Sequence, residues 1–124
     1  NMTANAADNL ITTVEDYSIF LTSIMSGMDL TEQVKSEMIS HHVSTKKNKY
    51  FGLGFEIYDL GNGDYAISHG GSDEGCQTIV FMISSTQQGI VIFTNADQGY
   101  LVYEKILLHY LGENGQKIID IETK

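Results

Sequence analysis

The chain has 124 residues, of which 42% are hydrophobic and 19% charged, a composition typical of one globular domain with its own core. Sixteen acidic residues stand against seven lysines and no arginine, so the net charge is −9. A surface this negative repels phosphate backbones, and without arginine it has no bidentate reader of guanine. Nucleic acid is therefore not expected as a partner.

Two further features limit the class of protein. No stretch approaches the ~20 apolar residues that span a bilayer, and the first residues lack the basic-then-apolar pattern of a signal peptide. The single cysteine, Cys76, cannot form a disulfide within the chain or supply a cysteine cluster for zinc. We expect a soluble chain without a membrane span, and the sequence leaves its compartment open.

The first predicted element is a helix. Thr12 and Glu15 fit a capping box, with Thr12 as N-cap, and Gly27 offers a C-terminal stop. Apolar side chains recur between them at helical spacing: Val14, Tyr17, Leu21, Ile24 and Met25.

A second, shorter helix is predicted to start at Thr31. Its spacing predicts that Val34 and Met38 are buried and that it ends near His41 and His42.

From residue 50 the hydrophobic period becomes that of strands, which are predicted at residues 50–58, 65–68, 77–84 and 89–94. Gly61-Asn62-Gly63-Asp64 predicts a hairpin turn, because Asn-Gly tolerates the positive φ angles of a type I′ turn. A last helix at 100–111 closes at Gly112, and the tail 113–124 adds a short strand or frays. The sequence thus predicts one domain, residues 1–124, with an α+β fold: an antiparallel meander of about four strands flanked by helices.

Three segments then follow one another in the order found in a known superfamily. Residues 5–16 are similar to a small-residue helix entry with a Thr-x-Glu-Asp pattern, and residues 50–55 to a Tyr-Gly-Leu-Gly-Trp strand. The segment His69-Gly70-Gly71-Ser72-Asp73-Glu74-Gly75, with the two strands after it, resembles a third motif of the form Lys-Thr-Gly or His-x-Gly. These are landmarks of the serine β-lactamase and penicillin-binding-protein superfamily, and the resemblance covers roughly residues 4–112.

The resemblance implies a branch and a part of the fold. His69 and Gly70 replace the Lys and Thr of the penicillin-binding form, which points to the branch of class C β-lactamases, esterases and D-amino-acid peptidases. Cys76 stands where that branch usually has an aromatic residue. The implied protein is a serine hydrolase of bacterial type with an extracytoplasmic parent and no cofactor or metal, of which this chain is the C-terminal portion.

The chemistry of acyl transfer gives the third motif a physical reason. Negative charge develops on the carbonyl oxygen, and preorganised backbone N–H donors stabilise it. The resemblance implies that the Ser72 N–H is one such donor and that His69 lines the cleft. Gly71, without a side chain, would let substrate lie against this strand as an added strand.

The other catalytic motifs of that superfamily are not found in the sequence. No Tyr-x-Asn occurs, and the literal Ser-x-x-Lys, Ser44-Thr45-Lys46-Lys47, is predicted in a polar loop that cannot hold a nucleophile and base rigidly. We therefore expect an N-terminal catalytic half as partner, and a small peptide, β-lactam or ester as the parent's substrate. The strands at 77–84 and 89–94 are expected to lack cover, which predicts self-association into a homo-oligomer.

Several alternatives stay open at this point. His69-Gly70-Gly71 also resembles the oxyanion loop of α/β-hydrolase esterases, and residues 61–66 fit Gly-x-Gly-x-x-Ala, the pattern of a dinucleotide loop. A metal site would use His41, His42 and His109, and Cys76 is either a nucleophile or a small core residue. Three tyrosines of the last helix are assigned to packing: Tyr100, Tyr103 and Tyr110. In function, the alternative is a non-catalytic binding or structural module derived from the fold.

Overall fold

The computed structural model describes residue 5 and residues 10–27 and 30–124. Most of the helix-entry segment at residues 5–16, namely residues 6–9, lies outside them, as do residues 1–4. The elements in chain order are α1 (Val14–Ser26), α2 (Glu32–Met38), β1 (Val43–Lys46), β2 (Lys49–Phe51), β3 (Glu56–Gly61), β4 (Asp64–Asp73), β5 (Cys76–Ile83), β6 (Gly89–Thr94), a 3₁₀ turn (Gly99–Val102) and α3 (Tyr103–Thr123).

The strands form one antiparallel sheet whose spatial order, β1 to β6, follows the chain. The predicted α+β fold with an antiparallel meander is confirmed, with six strands rather than about four. Because all described strand pairs are antiparallel, the α/β-hydrolase alternative, which needs a parallel sheet, is wrong.

Helices cover both faces of the sheet, so side chains that alternate along each strand enter two separate cores. On one face, which we call the α3 face, Tyr58, Ala66 and Phe81 pack with Leu107 and Ile118 of α3. The opposite face, the α1 face, joins sheet residues to two side chains of α1: Ile57, Ile67, Val80 and Met82 pack with Leu21 and Ile24. Residues 80–83 are all buried, so the expected lack of cover on this strand is wrong.

The caps of α1 and α2 follow from local sequence, with one correction. The N-cap of α1 is Thr13, whose hydroxyl accepts the Asp16 N–H at 3.1 Å, and not Thr12. Gly27 ends the helix at φ 100°, as predicted. Thr31 caps α2 in the same way by accepting the Val34 N–H.

Helix α2 is shorter than predicted and lies at the surface. It ends at Met38 with Ile39 as C-cap, so His41 and His42 lie beyond it. Val34 is 49% exposed, which makes its predicted burial wrong, whereas Met38 is half-buried against the α1-face core.

The strand predicted at residues 50–58 is divided into β2 and β3 by residues 52–55. A Cβ at Gly52 would lie 2.3 Å from the Met38 carbonyl oxygen, and Gly54 has φ 83°, so the two glycines let the chain fold back beneath α2. Before it, residues 43–46 form the edge strand β1 rather than a loop.

The predicted Asn62-Gly63 turn joins β3 to β4, and both residues have positive φ (57° and 79°) as a type I′ turn requires. This hairpin also excludes the dinucleotide-loop alternative, because a strand and not a helix follows the glycines. Strand β4 continues to Asp73 instead of ending at Ser68, and it carries the third motif with it.

The tail is helical, so the prediction of a strand or frayed end is wrong. Helix α3 turns sharply at Gly112, which has φ 54° and ψ −123°, and then resumes. A Cβ at Gly115 would lie 2.3 Å from the Leu107 carbonyl oxygen, so only glycine permits this close approach of the two helical segments. The approach places Ile118, which is 1% exposed, in the α3-face core.

Candidate active site

The third-motif residues lie together on the second half of β4, where the strand extends past the helices that cover the sheet. Residues 64–68 of β4 are buried or half-buried, and residues 69–73 are all exposed. The pairing with β5 continues to the end of both strands, with His69 opposite Val80 and Gly71 opposite Thr78. The segment is therefore a rigid strand that remains open on one side.

The hydrogen-bond alternation of the ladder determines which way the backbone of β4 points. The Ser84 N–H donates to the Tyr65 carbonyl, so Tyr65 and Ser84 form a hydrogen-bonded pair. In an antiparallel ladder such pairs recur every second residue, so His69, Gly71 and Asp73 bond to β5. The N–H groups of Gly70 and Ser72 then point to the other side, where β3 pairs with β4 only as far as Ser68.

The His69 ring lies on the α1 face, beside the last buried side chains of that core. Its directly opposed neighbour Val80 is 2% exposed, and the ring contacts Phe55 edge-on with the centroids 6.3 Å apart. Phe55 itself is 7% exposed. A buried aromatic side chain thus holds one side of an exposed histidine.

Side chains of β5 lie close to Gly71 and Ser72. A Cβ at Gly71 would lie 2.7 Å from Thr78 Oγ1, and Gln77 Nε2 donates to Ser72 Oγ at 2.7 Å. The Ser72 hydroxyl is therefore engaged with β5, whereas its backbone N–H is directed to the open side.

The turn that ends the motif is fixed from a distant part of the chain. The Gly75 N–H donates to Asp97 Oδ1 at 2.6 Å, and Gly75 has φ 73°. Asp97 was not identified from the sequence, and Phe55 was noted only as the end of the 50–55 strand, since neither stands near the motif in the chain. The only local signal for Asp97 is its place in a short polar stretch after β6.

Ser44 and Lys47 do not form a nucleophilic site. Ser44 lies on the exposed edge strand β1, and Lys47 in the exposed turn that follows. Lys46 donates from Nζ to the Glu122 carboxylate at 3.2 Å. This geometry provides neither a dry pocket nor a lysine held against the serine.

The other candidate residues are dispersed. His41 stacks on Tyr50 at 3.8 Å, and His42 Nε2 lies 2.8 Å from the Glu37 carbonyl at the end of α2. His109 is exposed on α3, and in the described part of the chain no three His, Cys, Asp or Glu residues gather as metal ligands. Cys76 is an exposed free thiol at the start of β5, so its assignment as a small core residue is wrong.

The tyrosines assigned to packing divide between surface and interior. Tyr100 and Tyr110 are more than half exposed, and only Tyr103 is partly buried against the sheet. The first two therefore do not belong to the core. Among the described helices, none has the length and apolarity that a membrane crossing requires.

A comparison with protein families places most of the chain in one of them. Residues 1–110, which include all six strands of the sheet, match the family model described as Beta-lactamase. No curated protein matches the chain. The matched range ends two residues before the sharp turn of α3.

Proposed function

The chain belongs to the β-lactamase family, and from this premise we propose that it is the C-terminal part of a serine hydrolase of the class C β-lactamase, esterase and D-amino-acid peptidase branch. In this proposal it supplies the His-x-Gly third motif and one wall of the active-site cleft. The parent transfers an acyl group of a β-lactam, a D-alanyl peptide or an ester to serine.

The direction of the Ser72 N–H carries this proposal. A donor on a regular strand that pairs with β5 to its end is preorganised, so it needs no rearrangement when charge develops on a carbonyl oxygen. Ladder alternation aims this N–H at the open side of β4, beyond the end of β3. The neighbouring Gly71 adds no side chain above the strand.

His69 is the side chain of the motif that can act in the cleft. It is exposed, it lies two residues before Gly71, and Phe55 supports its ring. A neutral imidazole can accept or donate a hydrogen bond, so it can orient a catalytic hydroxyl or a substrate carboxylate.

Two observations support assigning the chain to the C-terminal side of a larger unit. The sequence has no Tyr-x-Asn, and its one Ser-x-x-Lys lies on the exposed edge strand. Strand β6 has no partner on its outer edge among the described residues, and a groove of about 420 Å³ runs along it. The walls of this groove are apolar and include Val14 of α1 and Ile106 of α3. Such a groove suits an added strand from the catalytic half.

Variants of the parent protein can separate the effect of the Ser72 backbone N–H on kcat from the effect of its side chain. Ser72→Ala keeps the N–H and should be mild, whereas Ser72→Pro removes the N–H and leaves the backbone hydrogen bonds to β5 intact. Both variants lose the contact of Ser72 Oγ with Gln77, so the difference between them isolates the N–H. Loss of one oxyanion donor typically lowers kcat by ~10²–10³. His69→Ala should be more severe than Ser72→Ala. If Ser72→Ala lowers the activity of the parent protein more than His69→Ala does, the roles proposed for the two residues are wrong.

The 124-residue chain alone should not turn over a chromogenic β-lactam or a p-nitrophenyl ester, because it has no held nucleophile and base. Turnover that Ser44→Ala abolishes would make Ser44 the nucleophile and would contradict the proposal.

A non-catalytic module is the second candidate, and the closed core favours it. Ala66, Ile83 and Ile118 are at most 1% exposed, so the described residues bury the centre of the α3-face core among themselves. The mass of the natural product separates the two candidates. A product of several hundred residues with an upstream Ser-x-x-Lys supports the hydrolase, and a product of 13.7 kDa supports the module.

A further inference from the structure

The loop that follows β6 contacts the turn at the end of the third motif. The Gly75 N–H donates to Asp97 Oδ1 at 2.6 Å, and the two residues stand 22 positions apart in the chain. Asp97 is exposed, and among the described residues no cation lies within 4 Å of its carboxylate. A surface ion pair therefore does not account for this acidic side chain, whereas the hydrogen bond to the turn does.

The loop that carries Asp97 is itself held against β5. Thr94 Oγ1 donates to the Gln77 carbonyl at 2.9 Å. A Cβ at Gly99 would lie 1.7 Å from Thr94 Oγ1, so only glycine lets the 3₁₀ turn begin this close to β6. The Gly99 N–H donates to the Ala96 carbonyl at 3.1 Å and closes the loop. Asp97 thus lies between fixed points, so its carboxylate can hold a neighbouring turn in place.

The end of β4 needs such a contact because the strand has a partner on one side only. Strand β3 pairs with β4 as far as Ser68, and beyond it residues 69–73 bond to β5 alone. The end of a two-stranded ribbon is marginally stable and opens locally. The Ser72 N–H lies three residues before Gly75, so movement of the turn displaces this donor. A misplacement of about 1 Å in an active site can cost ~10²-fold in rate.

We propose that Asp97 is a positioning residue for the third motif. Its carboxylate accepts the Gly75 N–H and so keeps the β4–β5 turn, and with it the Ser72 N–H, where an oxyanion forms. This role rests on the proposed hydrolase function. In it Asp97 acts through the backbone of the turn and contacts neither substrate nor reacting atoms. An amide oxygen can accept the same hydrogen bond, so Asn should replace Asp97, whereas Ala should not.

Amide hydrogen exchange in the 124-residue chain measures this contact without any activity. Asp97→Ala should speed exchange of the Gly75 and Asp73 amides about fivefold, because Gly75 loses its acceptor and Asp73 belongs to the last pair of β4 with β5. The amide of Ile67, further back in the same ladder, should exchange at the wild-type rate. Asp97→Asn should behave as the wild type. Gln98→Ala is the matched control, since Gln98 is exposed in the same loop and makes no side-chain cap bond.

Kinetics of the parent protein measure what the contact does for catalysis. Asp97→Ala should lower kcat about tenfold and change KM less than about twofold, because the donor acts mainly on the transition state. Asp97→Asn should keep kcat within about twofold, since it keeps an acceptor. The position of the donor no longer matters once the donor is gone. In the Ser72→Pro background, Asp97→Ala should therefore lower kcat by less than about twofold.

The results separate this proposal from the proposed function. A wild-type parent that turns over no β-lactam, D-alanyl peptide or ester contradicts the hydrolase function, and the role of Asp97 falls with it. In an active parent, an unchanged kcat in Asp97→Ala contradicts the positioning role alone, and so does a loss of the same size in the Ser72→Pro background. Unchanged exchange at Gly75 and Asp73 would overturn it as well. Faster exchange that extends to Ile67 would show a general loss of stability and would also overturn it.

Discussion

The cluster around Lys49 joins the end of α3 to the sheet, and Lys49→Met tests it. Lys49 is 8% exposed, and its Nζ contacts Glu56 at 3.0 Å and Glu122 at 2.5 Å, 5.0 Å above the Tyr58 ring. The Tyr58 hydroxyl also donates to Glu122. Methionine keeps most of the buried stem and removes the charge, so the loss of stability measures the cluster and not a cavity.

The magnitude follows from the exposure of the partners. Removing one member of a fully buried ion pair costs about 3–5 kcal/mol, because the other charge stays uncompensated. The Glu56 and Glu122 side chains are 23% and 38% exposed, so water screens part of that cost. We expect Lys49→Met to lower the free energy of unfolding by ~2 kcal/mol. In urea this corresponds to a midpoint lower by roughly 1 M.

Urea unfolding followed by far-UV circular dichroism measures this change. Lys47→Met, two residues earlier in an exposed turn, is the control and should shift the free energy by less than ~0.5 kcal/mol. Lys49→Met combined with Glu56→Gln should recover ~1 kcal/mol, because Glu122 keeps its contact with Lys46 whereas Glu56 has no other cation within 4 Å among the described residues. If Lys49→Met unfolds at the wild-type midpoint, or if the double variant recovers nothing, the cluster does not stabilise α3 and the reasoning fails.

Further predictions concern pH, the α3 turn and the sheet edge. Burial opposes the charged form of Glu122, but hydrogen bonds from Lys49 and Tyr58 outweigh it and lower its pKa. The stability that ionised Glu122 contributes is therefore complete above about pH 4.5 and lost as pH falls through the folded pKa. If the free energy of unfolding of the Glu122→Gln chain depends on acid pH as the wild type does, this prediction is contradicted. Burial also opposes the charged form of Lys49, but hydrogen bonds to Glu122 and Glu56 outweigh it and raise its pKa. The stability that charged Lys49 contributes is therefore present below about pH 10.5 and lost as pH rises through the folded pKa. Urea unfolding at a series of alkaline pH values checks this. Gly115→Ala should cost ~1–3 kcal/mol by thermal unfolding, because its Cβ meets the Leu107 carbonyl, and an unshifted melting temperature would show that the segments can separate freely. Self-association through the outer edge of β6 should appear in light scattering across a dilution series. Val91→Pro should suppress it, because proline removes a backbone N–H that points away from β5. Self-association that persists in this variant would exclude edge pairing through β6.

The sequence predicted those turns and helix ends that depend on the conformational preferences of a few neighbouring residues. Asn62 and Gly63 form a type I′ turn wherever two strands meet over them, and Gly27 ends a helix by its own conformational freedom. The predicted site residues His69, Gly71 and Ser72 lie on one strand because they are close in sequence and need no long-range contact to be neighbours. The α+β class followed from the change of hydrophobic period at residue 50.

Long-range contacts decided the rest. The tail is helical because Gly115 can pass close to the Leu107 carbonyl and bring Ile118 into the core, and no local pattern in residues 113–124 contains that contact. The direction of the Ser72 N–H depends on the register of β4 against β5 and on the point where β3 leaves the sheet. A cavity above Phe81 exists only because α3 packs on the sheet, so no local pattern in the sequence predicts it.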